Sequence, residues 1–390
     1  MTEKLFYADS HLKEFDATVI SCEPYKDGYQ AVLDRTAFFP EGGGQASDTG
    51  WLDEIEVLDV QEKNGLIYHS LSKKIAVGMI VHGKIEWNKR FSKMQQHTAE
   101  HIISGLIHKQ YGYHNVGFHL ADTYCTMDID GPLSKEELEK IEWQANEAVF
   151  RNVPIEVLYP SKEELTELNY RSKIEIEEQV RIVSIPGCDM CACCAPHVKR
   201  TGEIGLIKMV HVQNYKGGVR ITMLSGDRAL ADYQKKEKSV KQIMSLLAAK
   251  EELVVEEVKR LKENNNALKM QLLDLQRSMF RIKAEQIPIE REICLFEDNV
   301  DMGLAREMVN LILDKGTEIC GIFCRKSEAE YRFVISSKNQ NMQELGKCLY
   351  QILKGKGGGK PDMVQGTILG NKEEIQTAFQ KSVKKIRREE

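Results

Sequence analysis

The feature that most constrains the fold is a run of four cysteines and one histidine within ten residues, from Cys188 to His197. Zinc is bound in proteins by tetrahedral sets of Cys and His, and a turn-like run that contains Pro196 can bring several donors to one point. Thiols rarely lie so close together without metal or redox chemistry. We therefore expect a metal site, and the chain must fold so that further ligands reach this run.

A histidine pair is the best source of those ligands. Phe91, Met94 and other apolar residues recur at helical spacing and predict an amphipathic helix over 89–110. His97 and His101 lie four residues apart on one face of it, about 6 Å from each other, so both imidazoles can reach one metal. They could also be two unrelated histidines. Joined to the thiol run, they predict three imidazoles with either one thiolate or one water.

Composition indicates a soluble globular protein. The chain has 390 residues, enough for two to three domains, with 42% hydrophobic and 29% charged residues. No run approaches the roughly 18 to 20 apolar residues of a transmembrane helix, and we expect no membrane partner. The amino terminus lacks the pattern of a secretory signal, so ten cysteines favour thiols in a reducing cytoplasm over disulfides.

The net charge of -5 and the pI near 6.1 do not indicate a nucleic-acid-binding protein. Residues 335–390 nevertheless carry eleven Lys or Arg and six Asp or Glu, a local charge of +5. This basic segment is typical of a module that contacts phosphates, and equally of a solvated terminal helix.

The order of patterns predicts an α+β multidomain protein. Short strands at 29–33, 54–60 and 80–86 favour a small N-terminal β-barrel, and a helix at 134–151 opens with a capping box of Ser134 and Glu137. The predicted parts are the barrel at 1–89, a zinc-containing α/β domain at 90–228, a long heptad-bearing helical segment at 229–286 and a C-terminal α/β domain at 287–390.

The heptad segment predicts helix pairing, either with another chain or with a returning helix of the same chain. An unbroken helix over 240–282 would extend about 65 Å. Glu251 occupies an a-like slot, so a break near Ala248–Glu251 is also expected. Asn265, in another a-like slot, favours one register.

Several ordered motifs resemble a known family. Leu33–Gly50 is similar to the glycine motif of alanyl-tRNA synthetase editing domains and of the free-standing AlaX alanyl-tRNA editing proteins. His97-Thr-Ala-Glu-His101 resembles the family's H-x-x-x-H, and Cys193-Cys-Ala-Pro-His197 its C-x-x-x-H. Gly357–Met363 resembles the glycine-rich signature of the synthetase's DHH-associated domain. The match spans nearly all of residues 1–370, and the chain resembles the long AlaX class, which lacks an aminoacylation domain.

This resemblance implies an aminoacyl-tRNA deacylase that hydrolyses alanine tRNA mischarged with serine or glycine, with one zinc per chain. It also implies a cytoplasmic homodimer joined through the C-terminal region, which contacts the outer corner of tRNA. Thr36 would bind the serine hydroxyl and contribute little to the stability of the fold. The implied metal ligands are His97, His101, Cys193 and His197. The implied catalytic residues are Thr36, Gly43, Gly44 and Gln45, and the implied substrate or tRNA contacts are Gly42, Arg220, Lys356, Gly357, Gly358 and Lys360.

One departure from the family pattern and one further motif leave alternatives open. The family usually has two glycines and a threonine where this chain has Cys194-Ala-Pro196, so Cys191 and Cys194 compete with Cys193 as thiol ligand. The run His97–His101 also matches the H-x-x-E-H pattern of zinc metallopeptidases, with Glu100 as the candidate base. A nucleic-acid-binding module with structural zinc is the remaining alternative.

Overall fold

The computed structural model describes residues 1–121, 123–172, 180–298 and 300–387. These residues form two compact units, Met1–Gln242 and Ile243–Glu390. Helices and several β-sheets occur in the chain, which therefore has the predicted α+β multidomain organisation. Among the described residues, no helix is both long and apolar enough to cross a membrane.

The first unit consists of short strands and three longer helices. Its elements in chain order are β1 (Glu3–Lys4), α1 (Leu5–Ala8), β2 (Glu14–Tyr25), β3 (Gly28–Leu33), β4 (Arg35–Thr36), β5 (Gly50–Leu52), β6 (Ile55–Lys63), β7 (Leu66–Leu71), β8 (Ile80–Ile85), α2 (Trp87–Tyr111), β9 (Asn115–Leu120), β10 (Cys125–Ile129), α3 (Lys135–Arg151), β11 (Glu156–Leu158), α4 (Lys162–Glu167), β12 (Ile182–Ile185), β13 (Asp189–Ala192), β14 (Ile207–Tyr215), β15 (Gly218–Ser225) and α5 (Gly226–Leu247).

Six strands of this unit close into a barrel in the order β2-β3-β7-β6-β5-β8. Alternate side chains point inward along β8, where Val81 and Ile85 are buried and Ile80 is exposed. The core also takes in Phe38 and Phe39, which precede the glycine cluster, residues 41–48. The glycine cluster is therefore anchored to the barrel at its amino-terminal end.

Helix α2 follows the barrel directly and confirms the helix predicted over 89–110. It is buried along most of its length, because it packs against α3, β9, β13 and β15. Helix α3 begins with the predicted capping box of Ser134 and Glu137. Both helices cover the sheet β14-β15-β10-β9, and their apolar faces form its core.

The thiol run lies next to α2 because of one glycine. Strands β11, β12 and β13 form a second sheet, and the loop from β12 to β13 passes across Gly105 of α2. A Cβ atom at Gly105 would lie 2.4 Å from the carbonyl oxygen of Cys188. Only glycine allows this close approach, which brings Asp189 and the following cysteines to the helix.

The second unit is an α/β domain preceded by a long helix. Its elements are α6 (Val254–Gln286), β16 (Glu292–Asp298), α7 (Met302–Asp314), β17 (Ile319–Arg325), β18 (Glu330–Ser337), α8 (Met342–Ile352), β19 (Gly355–Lys360), β20 (Met363–Leu369) and α9 (Lys372–Ile386). The sheet has the order β16-β17-β18-β20-β19, so the glycine-rich β19 is an edge strand.

A left-handed residue divides the predicted heptad segment into two helices. Helix α5 ends at Leu247, Ala248 has φ of +49°, and a 3₁₀ turn over Glu251–Leu253 leads into α6. The expected break near Ala248–Glu251 is confirmed, and an unbroken helix over 240–282 is not formed.

A buried ion pair joins the first turn of α2 to the glycine cluster. The Arg90 side chain is 0% exposed, and its Nε donates to both carboxylate oxygens of Asp48 at 2.9 and 2.8 Å. Its Nη2 donates to Asp48 and to the carbonyl oxygen of Ala37 at 2.7 Å. Asp48 also accepts the backbone N–H of Phe39 at 2.7 Å.

Replacing Asp48 with Asn removes the charge and keeps the shape, so the buried guanidinium of Arg90 loses its counter-ion. Removing one partner of a buried ion pair costs about 3 to 5 kcal/mol, and we expect the free energy of unfolding in urea to fall by that order. The matched control is Glu139→Gln, which breaks an exposed pair with Lys135 and should leave the unfolding midpoint nearly unchanged. Equal small effects of both variants would contradict the role given to Asp48.

Candidate metal centre

Four of the predicted ligands lie together in the first unit. The Nδ1, Nε2 or Sγ ligand atoms of His97, His101, Cys193 and His197 all lie within 4.8 Å of one another. The Cys193 Sγ is 3.4 Å from Nε2 of His197 and 3.6 Å from Nε2 of His97. His97 and His101 are presented by successive turns of α2, whereas Cys193 and His197 follow β13.

Each of the three imidazoles is held from behind through its Nδ1 atom. For His97, His101 and His197 in turn, the partners of Nδ1 are the side-chain oxygen of Gln45 at 2.9 Å, a carboxylate oxygen of Asp189 at 2.9 Å and the hydroxyl of Thr98 at 3.0 Å. The Thr98 hydroxyl donates to the carbonyl oxygen of Met94, so it accepts from His197. With Nδ1 bonded in this way, Nε2 of each ring is the atom left for a metal.

The charges of the set favour a thiolate ligand. Burial by itself raises the pKa of the Cys193 thiol, but the adjacent imidazoles of His97 and His197 hold it well below its usual range. A thiolate, rather than a thiol, is the form that binds a metal. Three imidazole nitrogens and one thiolate are the donor types and number of a tetrahedral zinc site, so these residues fit such an ion.

The two rival thiols, Cys191 and Cys194, are not part of this group of four. Cys191 is grouped with His101 and Asp189, but both carboxylate oxygens of Asp189 are bonded to the guanidinium of Arg171. This cation opposes a second metal at that position. The Cys194 side chain is exposed, and its Sγ lies 3.5 Å from the position that a Cβ of Gly43 would take.

Helix α2 holds the glycine cluster at three successive turns. Arg90 bonds Asp48, Lys93 donates from Nζ to the carbonyl oxygen of Ser47 at 2.6 Å, and His97 bonds Gln45. All three side chains of the helix are buried, so the cluster is fixed from Gln45 to Asp48 relative to the histidines.

The tip of the glycine cluster leaves little room for side chains. Gly43 and Gly44 have φ of +61° and +79°, a region that favours glycine. A Cβ at Gly44 would lie 2.8 Å from Phe118, whose ring contacts that of His97 at a tilted angle, with centroids 4.8 Å apart. Gln45 is fully buried, and its Nε2 is a donor with no hydrogen-bond partner among the described residues.

The structure places Thr36 inside the barrel. Its side chain is fully buried and lies 2.9 Å from Nε2 of His69, and its oxygen accepts the backbone N–H of Phe38 at 3.1 Å. Burial lowers the pKa of His69 to about 4, so the ring is neutral at pH 7. Because Nδ1 of His69 faces the carbonyl oxygen of Ala31, the Thr36 hydroxyl donates to Nε2. These bonds contradict the expectation that Thr36 contributes little to the stability of the fold.

The other predicted contact residues lie on strands β15 and β19. Arg220 on β15 donates to both carboxylate oxygens of Asp128, at 2.6 and 2.7 Å, and its guanidinium lies 3.9 Å above the Tyr215 ring. In the second unit, the exposed edge strand β19 carries the remaining four predicted residues, which are Lys356, Gly357, Gly358 and Lys360.

Sequence reasoning missed the residues that orient the ligands. Thr98 lies between the two histidines in the sequence, and Asp189 lies within the thiol run, so both were visible as polar residues beside predicted ligands. Their role depends on which way the rings turn, which spacing does not determine. Lys93 could have been found from its position one helical turn before His97.

Three protein-family models match the chain. A model described as tRNA synthetases class II (A) matches residues 8–89. One described as threonyl and alanyl tRNA synthetase second additional domain matches residues 180–222, which include Cys193 and His197. A DHHA1 domain model matches residues 289–387 in the second unit.

Two of the curated relatives match over nearly their full lengths. The chain is 28% identical over 410 residues to the alanyl-tRNA editing protein AlaX-L of Pyrococcus horikoshii, covering 99% of each chain. It is 27% identical over 399 residues to the alanyl-tRNA editing protein Aarsd1 of Rattus norvegicus, covering 95% of this chain and 96% of the relative. The solved C-Ala domain of Aquifex aeolicus alanyl-tRNA synthetase is 26% identical and covers 24% of this chain and 84% of that one, with a TM-score of 0.19.

Proposed function

Because the chain belongs to the alanyl-tRNA editing proteins of the long AlaX class, we propose that it hydrolyses the ester joining a wrong amino acid to alanine tRNA. The substrates would be serine or glycine esters, because a site that activates alanine rejects these two amino acids only weakly. The observation that carries the proposal is the set of three imidazoles and one thiol beside a rigid glycine cluster. A tRNA substrate also supports the expected cytoplasmic location.

The four ligands would hold one zinc ion through Nε2 of the three histidines and Sγ of Cys193. Such an ion supplies positive charge that polarises an ester carbonyl or acidifies a water molecule. An activated ester needs mainly positioning and stabilisation of the developing oxyanion. In this proposal the chain's own residues do the positioning.

Gln45 and the glycines before it supply the positioning groups. The Nε2 of Gln45, which has no partner in the described part of the chain, is a buried donor beside His97 and is suited to a substrate oxygen. Gly42, Gly43 and Gly44 present backbone without side chains, which lets the terminal ribose and its amino acid approach closely.

The donor set argues against the peptidase alternative. A site of that kind normally takes a carboxylate as its third ligand, whereas Cys193 and His197 complete this set. Glu100, the candidate base, accepts from the hydroxyl of Ser104 at 2.6 Å and from the side-chain amide of Asn115. Both bonds go to Oε1 of Glu100, and its Oε2 lies 3.9 Å from Nε2 of His101.

Replacing His97 with Ala removes one of the four donors and the bond to Gln45. We expect both the zinc content and the release of serine from mischarged alanine tRNA to fall strongly. The measurements are metal analysis of the purified protein and a deacylation assay. The control is His108→Ala, a histidine of the same helix that is not among the four ligands. Full zinc occupancy in the His97 variant would show that the thiol run binds metal without the helix.

Replacing Thr36 with Val keeps the shape and removes the hydroxyl. If that hydroxyl binds serine, the serine ester should be hydrolysed several-fold more slowly, since one hydrogen bond contributes on the order of 1 kcal/mol. The glycine ester, which has no side-chain hydroxyl, is the internal control. Equal slowing of both esters would instead assign Thr36 to the support of His69 and the barrel.

The second unit would supply dimer contacts and a second tRNA contact. Helix α6 carries apolar residues at heptad spacing that are each roughly half or more exposed, namely Val258, Leu261, Leu268, Leu272, Leu275, Met279 and Ile282. The edge strand β19 is exposed throughout and carries Lys356 and Lys360. The apolar stripe supports pairing with a second copy, and the lysines support contact with phosphates.

A chain that ends at Gln242 tests both roles. We expect it to hydrolyse saturating mischarged tRNA normally, with a higher apparent KM and weaker dependence on salt, because phosphate contacts are lost. It should be monomeric in analytical ultracentrifugation. A shortened protein that stays dimeric and binds tRNA as tightly at the same salt concentration would exclude both roles.

A further inference from the structure

A carboxylate and a guanidinium lie in line behind one of the candidate ligands. Nδ1 of His101 is 2.9 Å from Oδ2 of Asp189. Arg171 donates from Nε to Oδ1 of Asp189 at 2.7 Å and from Nη2 to Oδ2 at 2.8 Å. The side chains of His101 and Asp189 are 4% and 2% exposed, and that of Arg171 is 13% exposed.

The backbone holds Arg171 at the same place. Its N–H donates to the carbonyl oxygen of Met190 at 2.8 Å, and its own carbonyl oxygen accepts the N–H of Ala192 at 2.9 Å. Arg171 is thus paired with β13 by backbone bonds and with Asp189 by its side chain. It lies outside the residues matched by any of the three family models.

We propose that Asp189 and Arg171 are positioning residues that fix the ring of His101 and thereby control how firmly the metal is held. This inference rests on the proposed metal site and adds two residues to it. An acceptor behind a ligating histidine sets its tautomer and its orientation, and replacing such an acceptor typically costs about 10- to 100-fold in metal affinity or activity.

His101 differs from the other two histidines in the kind of acceptor behind it. Gln45 and Thr98 present neutral oxygens to His97 and His197, whereas Asp189 presents a carboxylate. A charged acceptor makes the stronger hydrogen bond and increases the basicity of the ring. Metal binding by His101 should therefore depend on its acceptor more than metal binding by His97 or His197 does.

Arg171 has two effects on this arrangement. Its planar fork bonds both oxygens of Asp189, which fixes the rotation of the carboxylate and so the direction of its bond to His101. Its charge offsets the buried negative charge of Asp189 and opposes binding of a second cation there. A lysine could supply the charge but not the fork.

The experiment measures metal binding in the full chain without tRNA. Zinc affinity is determined by competition with a chromogenic chelator, and cobalt is substituted so that its visible absorption reports the geometry of the ligands. We expect Asp189→Ala to weaken zinc binding at least about tenfold and to change the cobalt bands. Asp189→Asn keeps an acceptor oxygen without the charge, so its zinc affinity should lie between that of Asp189→Ala and that of the unchanged protein. Arg171→Lys should weaken binding less than Asp189→Ala.

The matched control is Asp128→Asn. This change removes the charge from another carboxylate of the same unit, one that forms a bidentate pair with Arg220. Its zinc affinity should equal that of the unchanged protein. If Asp189→Ala fails to fold, the nearly isosteric Asp189→Asn carries the test. Unchanged zinc affinity and unchanged cobalt bands in the Asp189 variants would overturn the proposal, as would lower thermal stability of the metal-free protein with unchanged cobalt bands.

Two outcomes separate this inference from the proposed function. An unchanged protein that binds no zinc would overturn both the metal site and the positioning role. A protein that holds zinc and responds to the Asp189 changes, but releases no serine from mischarged tRNA, would overturn the proposed function and leave the positioning role in place.

Discussion

The bond between Arg90 and Asp48 is the constraint on which the site depends. It joins the first turn of α2 to the end of the glycine cluster, and both side chains are 0–1% exposed. A charge buried so deeply is tolerated only when it is paired and hydrogen-bonded, and Ala37 and Phe39 complete the bonding. The pair therefore allows one position of the helix relative to the barrel.

From that fixed point, the helical repeat sets the rest of the arrangement. Three side chains of α2, each roughly one turn from the next, contact the cluster: Arg90 contacts Asp48, Lys93 contacts Ser47 and His97 contacts Gln45. The chain of the glycine cluster therefore runs antiparallel to the helix. One further turn presents His101. Orientation of the metal ligands and placement of the substrate-binding loop are consequently parts of a single packing arrangement.

The sequence predicted the elements well where local rules decide. The i, i+4 spacing placed His97 and His101 on one helix face, and the charged Glu251 in a heptad slot predicted the break between α5 and α6. The sequence does not determine whether Cys191 or Cys193 is the thiol ligand, because this depends on where β13 ends. The strand ends at Ala192, so Cys191 stays beside Asp189, and Cys193 turns toward the histidines.

The buried position of Thr36 limits how it could select serine. Its hydroxyl proton is donated to His69, and one of the two oxygen lone pairs accepts from the backbone of Phe38. One lone pair therefore remains, and a serine hydroxyl could bind Thr36 only as a donor. Because the side chain is fully buried, such a contact also requires neighbouring atoms to move. Nε2 of Gln45, beside His97, has no partner among the residues that the structure describes, so it can bind a substrate oxygen without breaking an existing hydrogen bond.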